Sequence, residues 1–117
     1  ERVLIIGAGN NSQFATWLLT QSTLAGAFSI VGLVDDDPRK QGLYYDGFPV
    51  LGSTRDIPDL VERHHIGLVL FTIHNIDPAE RQRILKTCQA CHTRVVILPD
   101  VMQNLAATFQ VGLPLAV

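Results

Sequence analysis

The sequence predicts a three-layer α/β domain around a five-stranded parallel sheet, and three observations predict it. Unbroken apolar runs of strand length recur at residues 3–6, 68–71 and 95–98. Segments of helical periodicity separate the strands, with short connections. The first apolar run meets Gly7-Ala8-Gly9 without an intervening polar residue. A strand that is apolar on both sides needs cover on both faces, which a parallel sheet between helices supplies.

Residues 2–6 form the first and central strand. From Ser12 to Thr20 the pattern turns helical, with Ala15, Leu18, Leu19 and Ser22 on one face and Phe14 beside them. This helix stops before Gly26. Residues 29–34 make the second strand, which runs into Asp35, Asp36 and Asp37 ahead of Pro38. Residues 39–47 are polar apart from Leu43 and the two tyrosines, and read as a loop closed by a tight turn at Asp46-Gly47. Residues 49–52 form the third strand, with Pro49 at its start, where a missing N–H is tolerated. Ser53 or Thr54 caps the next helix, whose inner side carries Ile57, Leu60, Val61 and His64. Residues 66–73 are the fourth strand.

The following helix has the clearest start in the chain. Asp77 is its cap, Pro78 takes the first helical position, and Glu80 stands where it returns a bond to the cap. Its inner stripe is Ile84, Leu85, Cys88 and Cys91. Residues 93–98 form the fifth strand, ended by Pro99-Asp100, and residues 101–108 form a short helix or an irregular tail. Right-handed crossovers then give the strand order 3-2-1-4-5. The order reverses between the first and fourth strands, and such sheets bind ligands at the strand carboxyl ends beside that reversal.

Composition narrows the function classes. The 117 residues suit one domain, and 47% apolar with 17% charged residues excludes a disordered or fibrous chain. The nine basic residues are spread along a chain of net charge -2, which argues against nucleic acid as a partner. The apolar runs fall far short of a membrane span, and no secretory signal pattern opens the chain. The chain starts almost directly on a strand and ends in mostly apolar residues, whereas termini are usually polar. It reads as a domain cut from a longer protein, with residues 1–108 forming the domain and 109–117 a tail or the start of a linker.

The turn Gly7-Ala8-Gly9-Asn10-Asn11-Ser12 lies between the first strand and the first helix, where a phosphate site needs it. Gly7 permits a sharp reversal, Gly9 lets a pyrophosphate approach the backbone, and the first-turn amides face negative charge. Ser12 replaces the third glycine of the usual pattern. It is small enough for close packing, and its hydroxyl is a further donor for a phosphate. Asp35 ends the second strand at the position of a ribose, with Asp36 or Asp37 in that role if the boundary slips. A carboxylate there accepts ribose hydroxyls and repels a 2′-phosphate, favouring NAD over NADP. Thr72, His74 and Asn75 close the fourth strand on the same rim, and Pro99 and Asp100 the fifth. Arg39 either approaches a phosphate or is an ordinary exposed arginine.

Other constellations fail on inspection. Cys88-Gln89-Ala90-Cys91-His92 matches a haem-attachment spacing, but both cysteines fall on a helix's buried stripe, where Cys behaves as a small hydrophobe. A zinc site lacks a second cysteine pair. Tyr44 and Tyr45 are followed four places on by Phe48 and Pro49, so neither belongs to a Tyr-x-x-x-Lys pair. No Gly-x-Ser-x-Gly elbow and no Walker lysine occur. Catalysis by this chain alone is not expected, and no metal is called for.

Four stretches together carry a family resemblance: Val3-Leu4-Ile5-Ile6-Gly7-Ala8-Gly9, Val31-Gly32-Leu33-Val34-Asp35-Asp36-Asp37-Pro38, Gly47-Phe48-Pro49-Val50-Leu51-Gly52-Ser53 and Arg94-Val95-Val96-Ile97-Leu98-Pro99-Asp100. Over residues 2–105 the chain resembles the Rossmann-like, CoA-binding-like domain of bacterial membrane-anchored polysaccharide biosynthesis proteins of the nucleoside-diphosphate-sugar epimerase/dehydratase type. A similar module occurs in undecaprenyl-phosphate sugar-phosphate transferases. The resemblance implies transmembrane helices upstream, a catalytic domain downstream and a place at the cytoplasmic face of the inner membrane. It maps the glycine turn onto Gly7 and Gly9 and the ribose acid onto Asp35, while the Asn10-Asn11 pair is bulkier than the family's usual residues. The implied role is a noncatalytic domain binding NAD(H), a nucleotide-sugar or a CoA derivative. The alternatives are a ligand-responsive module sensing redox state or CoA derivatives, and a structural domain with a vestigial site. A homodimer is compatible with all three.

Overall fold

The strand β1 (Arg2–Ile6) is buried from Val3 onward, and its side chains alternate between two apolar layers. Val3 and Ile5 pack with Ala15, Leu19, Leu33 and Leu70. Leu4 and Ile6 pack with Ile57, Leu60, Phe71, Ile84 and Cys88. One face is therefore covered by α1 (Asn10–Gln21), the other by α2 (Ile57–His64) and α3 (Pro78–Ala90). This is the three-layer arrangement that uninterrupted apolar strands require. The computed structural model describes residues 1–100 together with Asn104 and Leu105.

The remaining strands are β2 (Ser29–Val34), β3 (Tyr44–Tyr45), β4 (Phe48–Gly52), β5 (Leu68–Phe71) and β6 (Arg94–Ile97). They form one sheet of order β3-β4-β2-β1-β5-β6. Every pairing is parallel except that of β3 with β4. The parallel strands taken alone run β4-β2-β1-β5-β6, which is the order 3-2-1-4-5 read from the sequence. The switch point lies between β1 and β5, as expected.

The sixth strand was not expected. Asp46 and Gly47 both take left-handed backbone conformations (φ 53° and 89°), the requirement of a two-residue hairpin loop twisted like its strands. That loop folds Tyr44 against Pro49 and Tyr45 against Phe48, giving an antiparallel edge. Two paired residues are too few for a periodic signal, so the tight turn was legible and its second arm was not.

Other details differ as well. The first helix starts at Asn10, with Gly9 as its cap. The fourth strand is shorter than its apolar run, because Ile66 closes the end of α2 with Ile66 N donating to Val61 O (3.0 Å). Asp77 caps α3 by accepting from Ala79 N (3.2 Å), but Glu80 pairs with Arg83 (2.9 Å) and gives no bond to the cap. A guanidinium one turn away outcompetes a backbone amide for that carboxylate. Of the helix or tail expected over 101–108, Asn104 and Leu105 are helical, and the rest lies outside the described residues, as do 109–117.

Candidate functional site

A cavity of about 500 Å³ opens at the carboxyl ends of β1, β2 and β5, where the strand order reverses. Gly7, Gly9, Asn10, Asn11, Ser12, Asp35, Asp36, Thr72 and His74 all stand on its wall. Residues from three separate segments are thus brought to one rim. Their detailed parts differ.

Gly7 has φ +104°, and a Cβ there would lie 2.8 Å from Ile73 Cγ1 and 2.9 Å from Thr72 Oγ1. The position needs glycine for conformation and for space. Thr72 is buried and backs the turn, its hydroxyl donating to Ile6 O (2.7 Å). Gly9 is the opposite case. Its backbone is extended (φ −170°), and a Cβ would meet nothing within 4 Å. A side chain at Gly9 would fill cavity space and leave the protein's own packing alone.

Beyond Gly9 the first bond of the helical ladder runs from Gln13 N to Gly9 O (3.1 Å), so the amides of residues 10–12 precede that ladder. Ser12 is buried, and its hydroxyl accepts from Gly9 N (2.8 Å) and donates to Gly9 O (2.7 Å). The small third position therefore closes the turn on itself, and its hydroxyl proton is spent on Gly9. Asn11 spans the far side of the rim, with Nδ2 donating to Thr72 O (3.1 Å) and to Pro99 O (3.3 Å).

The three aspartates after β2 diverge because alternate side chains leave opposite faces of a strand. Asp35 Oδ2 accepts from Ala8 N (2.9 Å) and Oδ1 from Asp37 N (2.8 Å). Each oxygen retains acceptor capacity, since a carboxylate offers about four lone-pair sites. Asp36 turns toward α2, accepting from Thr54 N (2.8 Å) and Thr54 Oγ1 (2.9 Å), so it is the side-chain anchor of the turn before that helix. Asp37 caps the one-turn helix Pro38–Lys40 and is bridged by Arg39 (2.9 Å), whose hydrogen bonds lower its carboxyl to about 2. Arg39 itself is turned to Asp37 and is not on the cavity wall.

The cation on the wall is Lys40, which the sequence did not single out. Its Nζ donates to Ala8 O (2.5 Å) and lies 3.6 Å from Asp35 Oδ2 and 5.8 Å from the Tyr45 ring centre. Glu80 and Ile76 are the other unforeseen wall residues. His74 contributes a nitrogen of another kind. Its Nε2 is buried and has no hydrogen-bond partner among the described residues. Cys88 is buried in the core behind α3, its thiol pushed up to about 11 by burial, with Cys91 also contributing. Among the described residues no group of three His, Cys, Asp or Glu side chains stands ready for a metal. Nor is any described helix long and apolar enough to cross a membrane.

Known proteins share this architecture. The chain is 28% identical over 112 residues to the probable polysaccharide biosynthesis protein EpsC of Bacillus subtilis, covering 96% of this chain and 19% of that protein. The chain thus spans about a fifth of that relative's length. Among solved structures, UDP-D-quinovosamine 4-dehydrogenase from Vibrio fischeri superposes with a TM-score of 0.79 at 21% identity, over 92% of this chain and 85% of that one. RSP in complex with β-NADH superposes with a TM-score of 0.68 at 17% identity, over 95% of this chain and 59% of RSP. At these identities the structural likenesses establish the Rossmann-like fold. The sequence profile of one family covers nearly all the described residues, from 1 to 99, and the chain belongs to that family, the CoA-binding domain.

Proposed function

We propose that this chain is a noncatalytic nucleotide-binding domain, with NAD(H) as its first candidate ligand, within a polysaccharide-biosynthesis protein of the nucleoside-diphosphate-sugar epimerase/dehydratase type. The observation that carries the reading is the open position at Gly9. Gly9 has an extended backbone and no neighbour within 4 Å, so neither conformation nor packing calls for glycine there, and its place as helix cap would be served as well by Ser, Asp or Asn. A ligand passing close to the backbone supplies a reason for glycine.

In this reading a pyrophosphate lies over Gly9, facing the amides at the start of α1 and the positive end of that helix. Asp35, already fixed on Ala8 and Asp37, directs its spare lone pairs at ribose hydroxyls. His74 Nε2 meets a donor or acceptor on the ligand's second half. The NADH complex of RSP supports a dinucleotide on this fold. Residues 1–108 act as the binding unit, and the longer protein places it at the cytoplasmic face of the inner membrane.

The test is thermal melting of the chain with NAD, NADH, NADP, CoA and UDP-sugars, followed by calorimetry on whatever shifts. Ligand at about 100 times its Kd adds roughly 2.7 kcal/mol, a rise on the order of 10 °C for a domain of this size. A clear difference between NAD and NADH would turn the reading toward redox sensing. A melt unmoved by all five would leave only a structural role.

A further inference from the structure

A second cavity of about 400 Å³ adjoins the first, and the two share Asp36 and Glu80 as common wall. Ser53, Arg55 and Arg83 complete its lining. Arg83 is fixed in place: its Nη2 reaches Glu80 (2.9 Å), Thr54 Oγ1 (3.1 Å) and Asp36 (3.4 Å), and its Nε also donates to Glu80 (3.2 Å). Its Nη1 has no partner among the described residues. Arg55 is exposed and makes no hydrogen bond or ion pair among the described residues. One guanidinium is thus pre-set, and the other, whose charge also acts on Glu80, is free of close hydrogen bonds, both on the wall that adjoins the first cavity at Asp36 and Glu80.

Charge over the two cavities balances. Asp35, Asp36 and Glu80 face Lys40, Arg55 and Arg83, so an anion meets no net negative wall there. Asp35 taken alone would repel a 2′-phosphate. Lys40 lies 3.6 Å from that carboxylate and offsets it.

We infer that the second cavity is a subsite for a phosphate monoester on the ligand's ribose, held between Arg55 and the free edge of Arg83. The inference rests on nucleotide binding in the first cavity and adds a ranking within it. NAD(H) occupies the first cavity alone, whereas a 2′- or 3′-phosphorylated relative gains the two arginines. Paired guanidiniums suit phosphate because their planar forks give charge-assisted bonds that an ammonium cannot match in geometry.

The experiment is calorimetry on the 117-residue chain with two matched pairs, NADP against NAD for a 2′-phosphate and CoA against dephospho-CoA for a 3′-phosphate. The phosphorylated member of one pair is expected to bind about tenfold tighter, and which pair shows it identifies the position. Arg55→Gln, at an exposed side chain with no hydrogen bond or close ion pair among the described residues, is expected to abolish that difference and leave the unphosphorylated member within about twofold. Arg63→Gln, at an arginine that pairs with Asp59 and lines neither cavity, is the control and keeps the difference. Equal binding within both pairs, or a difference that survives Arg55→Gln or is lost equally in Arg63→Gln, overturns the subsite while leaving the first cavity standing. Failure of all four ligands to bind overturns both.

Discussion

Asp35 Oδ2 accepts the amide hydrogen of Ala8 at 2.9 Å, so the acid that ends β2 holds the middle of the glycine turn that ends β1. Its other oxygen accepts from Asp37 N at 2.8 Å. A single side chain therefore fixes the turn and orients the residues that follow β2. Any loss of binding on removing it combines two effects.

Asp35→Ala is expected to destabilise the fold by about 1–3 kcal/mol, because two backbone donors lose their acceptor and Ala8 is buried. Asp35→Asn keeps one acceptor oxygen and should cost less than half as much, yet it gives up the charge that strengthens bonds to ribose hydroxyls. Urea denaturation beside calorimetry separates the two. If Asp35→Asn binds nucleotide as tightly as the parent chain, the ribose role of Asp35 is wrong and its structural role stands.

The two glycines of the turn make the sharpest contrast. Gly7→Ala forces a side chain into a backbone at φ +104° and against Ile73 and Thr72, and should lower stability by about 1–3 kcal/mol or more. Gly9→Val meets open space, so its stability should change by no more than about 1 kcal/mol, the scale of a cap substitution. Its nucleotide binding should fall further than that of Asp35→Ala. Unchanged affinity in a folded Gly9→Val chain removes the pyrophosphate from this position.

These contrasts mark what was legible in the sequence. Runs such as residues 2–6 specify strands because nothing but burial on both faces accommodates them, and the glycines sit directly after the first run. Position on the rim followed from topology, and the nine expected residues, from three segments, stand on one cavity wall. Direction was less visible. Whether Asp35, Asp36 or Asp37 faces the cavity depends on one residue of strand boundary, and the structure sends them to three different tasks. Lys40 was missed because its place depends on Pro38–Lys40 curling back, which brings its Nζ to a carbonyl 32 residues earlier. Arg83 was missed because the sequence gives a helix face but not which neighbour that face meets. Ser12 shows the limit within a motif: its hydroxyl was available on paper and is spent on Gly9 in the fold.

The cysteines test the core independently of any ligand. Burial raises both thiols, Cys88 to about 11, so at pH 8 Cys88 holds little reactive thiolate and Cys91 less than an exposed cysteine would. A thiol reagent should label the native chain slowly, Cys91 before the fully buried Cys88, and both at once in denaturant. Labelling followed by mass spectrometry reads the order. Rapid modification of Cys88 in the native chain is incompatible with its place between α3 and the sheet.

His74 carries the opposite kind of defect. Its buried nitrogen has no partner among the described residues, which costs free energy in the unliganded fold, on the order of 1–3 kcal/mol, recovered only if something bonds to it. His74→Leu replaces the ring with an apolar group of similar bulk and removes the unsatisfied atom. Without ligand the variant should melt at the same temperature or higher. With NAD(H) it should bind about tenfold more weakly, since a bond formed only in the complex is gone. Such a trade of stability against affinity is expected where a residue is kept for a ligand and not for packing. The reverse pattern, a lower melting temperature with unchanged binding, would make His74 a packing residue and remove it from the ligand's contacts.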